Sequence, residues 1–141
     1  MAGIADANTV SAGVPQGVWL IDGAAAVQIF DCDGLLCGRL LWLPAARDSQ
    51  GQPKRDKRNP DPTLRQRELC GLTLIWGLHP TGPNHWDYGW FYYPDSGRTY
   101  NVKMELAAPD ALVARFYKGA SFVGETKTLI RVQHGTSKGW C

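Results

Sequence analysis

The chain has 141 residues, of which 44% are hydrophobic and 20% charged, and its formal net charge is +2. These values describe one ordinary globular domain, and they argue against disorder and against a strongly basic nucleic-acid binder. The sequence contains no apolar run of the length that a transmembrane helix needs.

The amino-terminal segment, residues 1–14, lacks the basic start and the apolar stretch of an intact signal peptide. Ala5-Asp6-Ala7 matches the small-x-small end of such a peptide. We therefore hypothesise that an export signal has been removed and that Met1 is a replacement start; the frayed tail of a cytosolic protein is the alternative. The predicted organisation is a tail over 1–14, a β-barrel domain over 15–133 and a tail over 134–141.

Short strands follow one another from Gly17 onwards. Alternating apolar residues, separated by turn sequences such as Asp22-Gly23 and Asp33-Gly34, indicate eight strands. Most links between them are short, which favours an antiparallel up-and-down barrel over a sandwich. A barrel of eight strands is filled by its own side chains or holds one small ligand. The predicted strands are 17–21, 25–31, 35–43, 72–78, 86–92, 100–106, 111–117 and 123–132.

One long segment, residues 44–69, interrupts this rhythm, and loops of such length are either functional or disordered. Asp61-Pro62 is typical of a helix start, so we predict a short helix over 62–68 that folds over one barrel mouth. Arg58, Arg65 and Arg67 are the cations that an anion site requires. Pairing of these cations with the acidic residues of the same loop is the favoured interpretation.

Cys32 and Cys37 lie on either side of the Asp33-Gly34 turn. Two strands leaving that turn bring the sulfurs within bridging distance. The alternative is half of a zinc site, but no second Cys/His pair stands at ligand spacing. The residues alone do not decide whether Cys70 and Cys141 pair.

Aromatic residues alternate along the fifth predicted strand, and we expect them to share one face. Core packing is the favoured interpretation; the functional alternative is a cavity lining, since buried Trp and Tyr need partners for their polar atoms. An inward Tyr88 or Arg39 would orient a polar group of a ligand. A shift of strand phase by one residue would exchange the faces. The candidate cavity residues are Trp76, Trp86, Tyr88, Trp90, Tyr92, Tyr100, Met104 and Phe116.

Motifs for catalysis are missing from the sequence. No serine, cysteine and histidine stand in a nucleophile pattern, and there is neither a phosphate loop nor a dinucleotide fingerprint. We therefore expect no catalytic residue, no metal and no cofactor.

Five segments of the chain, taken together, resemble a bacterial exported family known as domain of unknown function 2147. Two positions depart from its pattern: Tyr93 stands where Asp is usual and Leu129 where Trp is usual. The matching segments are Gly17-Val18-Trp19; Cys32 with Leu36-Cys37-Gly38-Arg39; Asp56 with Asn59-Pro60-Asp61-Pro62, Arg65, Arg67 and Gly71; Pro94 with Ser96-Gly97 and Thr99-Tyr100; and Gly124, Thr126, Thr128 and Arg131-Val132.

The resemblance implies a lipocalin-like fold, a periplasmic or secreted setting and no established reaction. Export makes a Cys32–Cys37 disulfide the expected state. The resemblance also implies that Trp19 stacks on Arg131 and plugs one end of the barrel, as a structural pair. For the long loop it implies a defined conformation, with Asn59, Arg65 and Arg67 as lid candidates.

These expectations lead to two hypotheses. The first is a non-enzymatic protein, monomeric or weakly dimeric, that binds a small apolar or amphipathic ligand inside the barrel and no nucleic acid. The second is an envelope protein with a self-filled barrel that acts through its outer surface. The two differ in whether Trp76, Trp86, Trp90 and Tyr92 face an enclosed cavity or the outside.

Overall fold

The computed structural model describes residues 13–21, 23, 25–120, 123–132 and 141. Within these ranges, eight strands form a closed barrel in which each strand pairs with the next and the first pairs with the last. Every pairing is antiparallel, which confirms the predicted up-and-down barrel. The strands are β1 (Gly17–Ile21), β2 (Ala25–Cys32), β3 (Leu35–Trp42), β4 (Thr73–Gly82), β5 (His85–Tyr93), β6 (Arg98–Ala108), β7 (Ala111–Tyr117) and β8 (Gly124–Arg131).

The proposed remnant of a signal peptide at Ala5-Asp6-Ala7 lies outside the described residues. The same is true of most of the predicted tail over 134–141, of which the structure describes Cys141.

The two ends of the barrel differ in their connections. Consecutive strands run in opposite directions, so the β2–β3, β4–β5 and β6–β7 turns gather at one end, which we call the closed end. The other end, called the open end, carries the β5–β6 turn over 94–97 and the connection over 43–72. We call this connection the long loop.

Apolar side chains fill the inner face of the barrel at the closed end and in its middle. Trp19, Leu78, Val102 and Leu112 have no solvent exposure. The packing leaves no room even for a methyl group at Gly89, where an added Cβ would lie 2.6 Å from Cγ of Leu78. Interiors of this kind have the density of organic crystals. This part of the barrel is therefore filled by its own side chains.

The alternation of inward and outward side chains along strand β5 shifts by one residue midway. Tyr88 has a φ of 63°, in the left-handed region, and the register between β5 and β6 shifts by one residue at this point. Trp86 and Gly89 both face the interior although they are three residues apart, so Phe91 faces inward and Trp90 outward. The predicted shared face of Trp86, Tyr88, Trp90 and Tyr92 is wrong, because this β-bulge resets the alternation.

The long loop contains a single turn of 3-10 helix, Pro62–Leu64. Asp61 caps it as expected, since its side chain accepts a hydrogen bond of 3.0 Å from the Thr63 amide. The predicted helix over 62–68 is too long. Residues 65 and 66 continue as a turn instead, and the chain then pairs back on the loop: the Asp56 amide donates to the Arg67 carbonyl, and Glu68 forms an isolated antiparallel bridge with Arg55.

Candidate binding site at the open end

Four aromatic side chains lie on the inner wall of the open end, and we call them the mouth cluster: Phe91, Tyr93, Tyr100 and Phe116. Phe91 is the cross-strand partner of Tyr100, and Phe116 is the partner of the inward-facing Val102. The ring centroids of Phe91 and Phe116 are 4.7 Å apart, and those of Phe91 and Tyr93 are 5.9 Å apart. Aromatic rings at such separations attract one another.

The mouth cluster is less buried than the rest of the inner face. Phe91, Tyr100 and Phe116 are half-buried, and 41% of the Tyr93 side chain is exposed. On the same face, one step deeper, Val102 is fully buried. The cluster therefore presents a partly exposed apolar surface at the point where the filled core ends.

Tyr93 is the most exposed member of the cluster and lies at its rim. Its hydroxyl donates a hydrogen bond of 3.1 Å to Oδ2 of Asp95. Burial, followed by this bond to a carboxylate, raises the pKa of Tyr93 above its usual value. The hydroxyl therefore remains a neutral donor in ordinary buffers.

Charged side chains surround the mouth cluster. The ammonium group of Lys118 lies 5.3 Å from the centre of the Tyr100 ring. Glu125, the cross-strand partner of Phe116, forms an ion pair with Lys127 at an N–O distance of 3.6 Å. Both side chains of this pair are at least half exposed, and such a pair is loosely held.

The β1–β8 pairing that closes the barrel is short in the described part of the chain and does not reach Glu125 and Lys127. The ladder between β1 and β8 covers only Trp19–Ile21 and Leu129–Arg131. Within the described residues, the segment of β8 from Gly124 to Thr128 pairs with β7 alone. The residues of this segment, 124–128, are exposed in the described structure.

A buried carboxylate fastens the long loop beside the mouth cluster. Asp56 is 1% exposed and accepts hydrogen bonds from the Tyr92 hydroxyl at 2.5 Å, from Nδ2 of Asn59 at 2.9 Å and from Nε of Arg67 at 3.0 Å. The Asn59 carbonyl accepts in turn from Nε of Arg65 at 2.7 Å. Three donors, one of them the Arg67 cation, compensate the cost of burying the charge.

This network explains the family pattern in the long loop. Asn59, Arg65 and Arg67, the sequence-predicted lid candidates, all hold the loop in shape, and the two guanidinium groups bind groups of the loop itself. Burial and the bond to Asp56 also raise the pKa of Tyr92 to about 12. The sequence signal that could have revealed the network is the spacing of Asp56, Asn59 and Arg67, but nothing local points to Tyr92.

The remaining cavity candidates lie elsewhere. Trp86 and Met104 are cross-strand partners within the filled interior. Tyr92 faces outward and is covered by the long loop. Arg39 also lies on the outer side, with its guanidinium carbon 4.2 Å from the centre of the Phe30 ring, so it does not orient a ligand in the barrel.

Trp76 and Trp90 form an exposed pair on the outer face, which we call the outer aromatic pair. They stand directly opposite each other on β4 and β5, and 37% and 45% of their side chains are exposed. Tyr88, at the bulge, is 65% exposed. The expectation that these three residues line an enclosed cavity is wrong. Of the predicted cavity residues, Tyr100 and Phe116 alone belong to the mouth cluster.

A depression of about 530 Å³ is lined by residues of β4 to β8, among them the predicted cavity residues Trp86 and Met104 and the charged Asp87, Lys103 and Arg115. The Tyr117 hydroxyl donates a hydrogen bond of 2.8 Å to Oδ1 of Asp87. Burial, followed by this bond, raises the pKa of Tyr117 to about 12.

Trp19 and Arg131 close the opposite end, in the arrangement that the resemblance implied. The guanidinium carbon of Arg131 lies 4.3 Å from the centre of the Trp19 ring. Its three nitrogens donate to the carbonyls of Pro109, Gln16 and Val14 at 2.8 to 2.9 Å. Burial lowers the pKa of Arg131. Stacking and three carbonyls satisfy the cation, so its role is structural.

Two disulfides are present. Cys32 pairs with Cys37, as expected, so these sulfurs are not available as half of a zinc site. Cys70, at the end of the long loop, pairs with Cys141, which the sequence alone left open.

Among the described residues, no group of three or more His, Cys, Asp or Glu side chains is placed to hold a metal ion. No helix in the described ranges is both long and apolar enough to span a membrane.

Comparison with known proteins identifies the class of this barrel. A family described as an uncharacterized protein conserved in bacteria, DUF2147, matches residues 17–131, and the chain belongs to this family. Among solved structures, the chain is similar to protein HP1028 from Helicobacter pylori, described as belonging to the lipocalin family. The TM-score is 0.72 at 23% identity, over 84% of this chain and 83% of that one. The fold is therefore lipocalin-like. No curated protein sequence matches the chain.

Proposed function

We propose that this protein is an exported, non-enzymatic binding protein that takes the apolar part of a small amphipathic ligand at its open end. The mouth cluster is the observation that carries this proposal. It offers half-exposed aromatic rings at the end of a filled barrel, and apolar concave surfaces with few polar groups are typical of ligand sites. The family and the lipocalin-like fold support a binding role.

The size of the site limits the affinity. Burying roughly 250 Å² of apolar ligand surface contributes about 6 kcal/mol before the ordering costs of association. We therefore expect affinities no tighter than micromolar. A bacterial family and two disulfides support an oxidising compartment, such as the periplasm or the exterior.

The experiment is a titration of the purified protein with a short-chain amphiphile, decanoate. Binding is measured by isothermal titration calorimetry and by the shifts of the backbone amide signals in NMR spectra. Phe91→Ala and Tyr93→Ala should each weaken binding at least several-fold, because they remove part of the apolar surface. Trp90→Ala is the matched control, since Trp90 directly precedes Phe91 on β5 and its side chain faces outward. Equal affinities for all three variants would refute the proposed site.

A second candidate function is protein contact through the outer aromatic pair. Its support is the exposure of Trp76, Trp90 and Tyr88 on one outer face, since contiguous exposed aromatic surface marks interaction sites. Trp76→Ser with Trp90→Ser should abolish chemical cross-linking to a partner on native cells while decanoate binding is unchanged. Unchanged cross-linking in this double variant would exclude the surface.

A further inference from the structure

The open end has a charge pattern that selects among amphiphiles. Three cations hold inward positions at or near the open end: Lys118 beside Tyr100, Arg98 opposite Tyr93, and Lys127, which is opposite Ala114 and one inward step deeper than Glu125. Two carboxylates oppose them, Glu125 beside Lys127 and Asp95 at the Tyr93 hydroxyl. These inward positions therefore carry more positive than negative charge beside the mouth cluster.

The two lysines have hydrogen-bonding capacity to spare. An ammonium group carries three N–H donors. Lys118 uses one of them in a long bond of 3.4 Å to the Thr99 carbonyl. Lys127 meets Glu125 at 3.6 Å, and both ends of this pair are exposed to solvent. An incoming anion therefore gains donors without breaking a buried contact.

The groups that would recognise a cationic ligand are already occupied. Aromatic rings and a carboxylate are the groups that recognise an organic cation. In this mouth, the Tyr100 ring already faces the ammonium of Lys118, and Glu125 already faces that of Lys127. A cationic headgroup would have to displace both lysines and would then be repelled by them.

We infer that the ligand of the open end is an alkyl or aryl carboxylate, whose chain lies on the mouth cluster and whose head meets Lys118 and Lys127. This inference rests on the proposed function and names its ligand class. Because the contacts lie near solvent, the preference for an anion should weaken as the ionic strength rises.

The experiment compares three probes that share one chain and differ in the head: decanoate, decanol and decyltrimethylammonium, each below its micelle concentration. For the unmodified protein we expect decanoate to bind about tenfold more tightly than decanol, and the ammonium probe to bind most weakly. Lys118→Gln with Lys127→Gln should remove this preference and leave decanol affinity within about twofold. Lys103→Gln, on the outer side of β6, is the matched control and should retain the preference.

The outcomes separate the inference from the proposed function. If decanol or the ammonium probe binds as tightly as decanoate, the carboxylate class is wrong and the binding site stands. Retention of the decanoate preference in the double lysine variant also overturns the inference. If no probe binds the unmodified protein, the proposed function fails and the inference fails with it.

Discussion

The closed and open ends of this barrel are built from the same eight strands and show opposite packing. At the closed end, Trp19 is fully buried, stacked on Arg131 and hydrogen-bonded through its indole nitrogen to the Pro15 carbonyl at 2.8 Å. At the open end, Phe91, Tyr100 and Phe116 are only half-buried and Tyr93 is substantially exposed.

This difference teaches that a barrel of this size need not be either hollow or filled. Its closed half supplies the apolar burial that stabilises the fold, and its open half keeps an apolar surface available. Large-to-small changes should therefore cost stability at one end and binding at the other. The following predictions test this division.

The largest loss of stability is expected for Trp19→Ala. Removing a fully buried indole should lower the free energy of unfolding by about 3–5 kcal/mol. Tyr93→Ala, at the open end, should lower it by about 1 kcal/mol. Urea unfolding of both variants measures the contrast, and equal losses would contradict the division into two halves.

Asp56→Ala tests whether the long loop is fastened by one carboxylate. The substitution leaves the Tyr92 hydroxyl, the Asn59 amide and the Arg67 guanidinium without their acceptor, at a cost of about 3 kcal/mol. Tyr92→Phe removes one donor and should cost about 1 kcal/mol. Limited proteolysis should cut the loop faster in the Asp56 variant, and unchanged cutting rates would show that other contacts hold the loop.

Gly89→Ala tests the filled middle of the barrel. The new methyl group would meet Leu78 at 2.6 Å and should destabilise the fold by about 1–3 kcal/mol. Gly82→Ala is the matched control, because nothing lies within 4 Å of its added Cβ and its φ is not in the left-handed region. A Gly89 variant as stable as this control would indicate an interior with free space.

Alkaline pH should weaken the outer hydrogen bonds of Tyr92 and Tyr117. Both tyrosines have a pKa of about 12 in the fold, against an ordinary value of 10.0. Between these values the unfolded chain has lost the protons that the folded chain keeps, so the free energy of unfolding falls as the pH rises from 10 to 12. Below pH 10 the two groups contribute no pH dependence. Tyr92→Phe with Tyr117→Phe should flatten the fall; the same slope in this variant would disprove the assignment.

The architecture was predictable because its signals are local. Strand and turn signals depend only on neighbouring residues, as in the alternation of Tyr100, Val102, Met104 and Leu106 or the Asp33-Gly34 turn. Strands β1 and β7 begin and end where the sequence predicts. The Cys32–Cys37 disulfide follows from the same turn. The stacking of Trp19 on Arg131 was accessible through the family resemblance alone, because 112 residues separate the two in the sequence.

The candidate site was predicted less well, for a physical reason. One residue in a left-handed conformation, Tyr88, exchanges the faces of β5, and tyrosine carries no sequence signal for that conformation. Gly89 was the available clue, since a glycine inside a strand often marks a bulge. The burial of Asp56 was likewise hidden, because its partner Tyr92 lies 36 residues away.

The most direct test of the central claim is native mass spectrometry of the protein purified from its own cells, followed by extraction of any bound molecule. A near-stoichiometric adduct that Phe91→Ala loses and Trp90→Ala retains is the predicted result. A clean mass for the unmodified protein, unchanged when decanoate and other amphiphiles are added, would contradict the account.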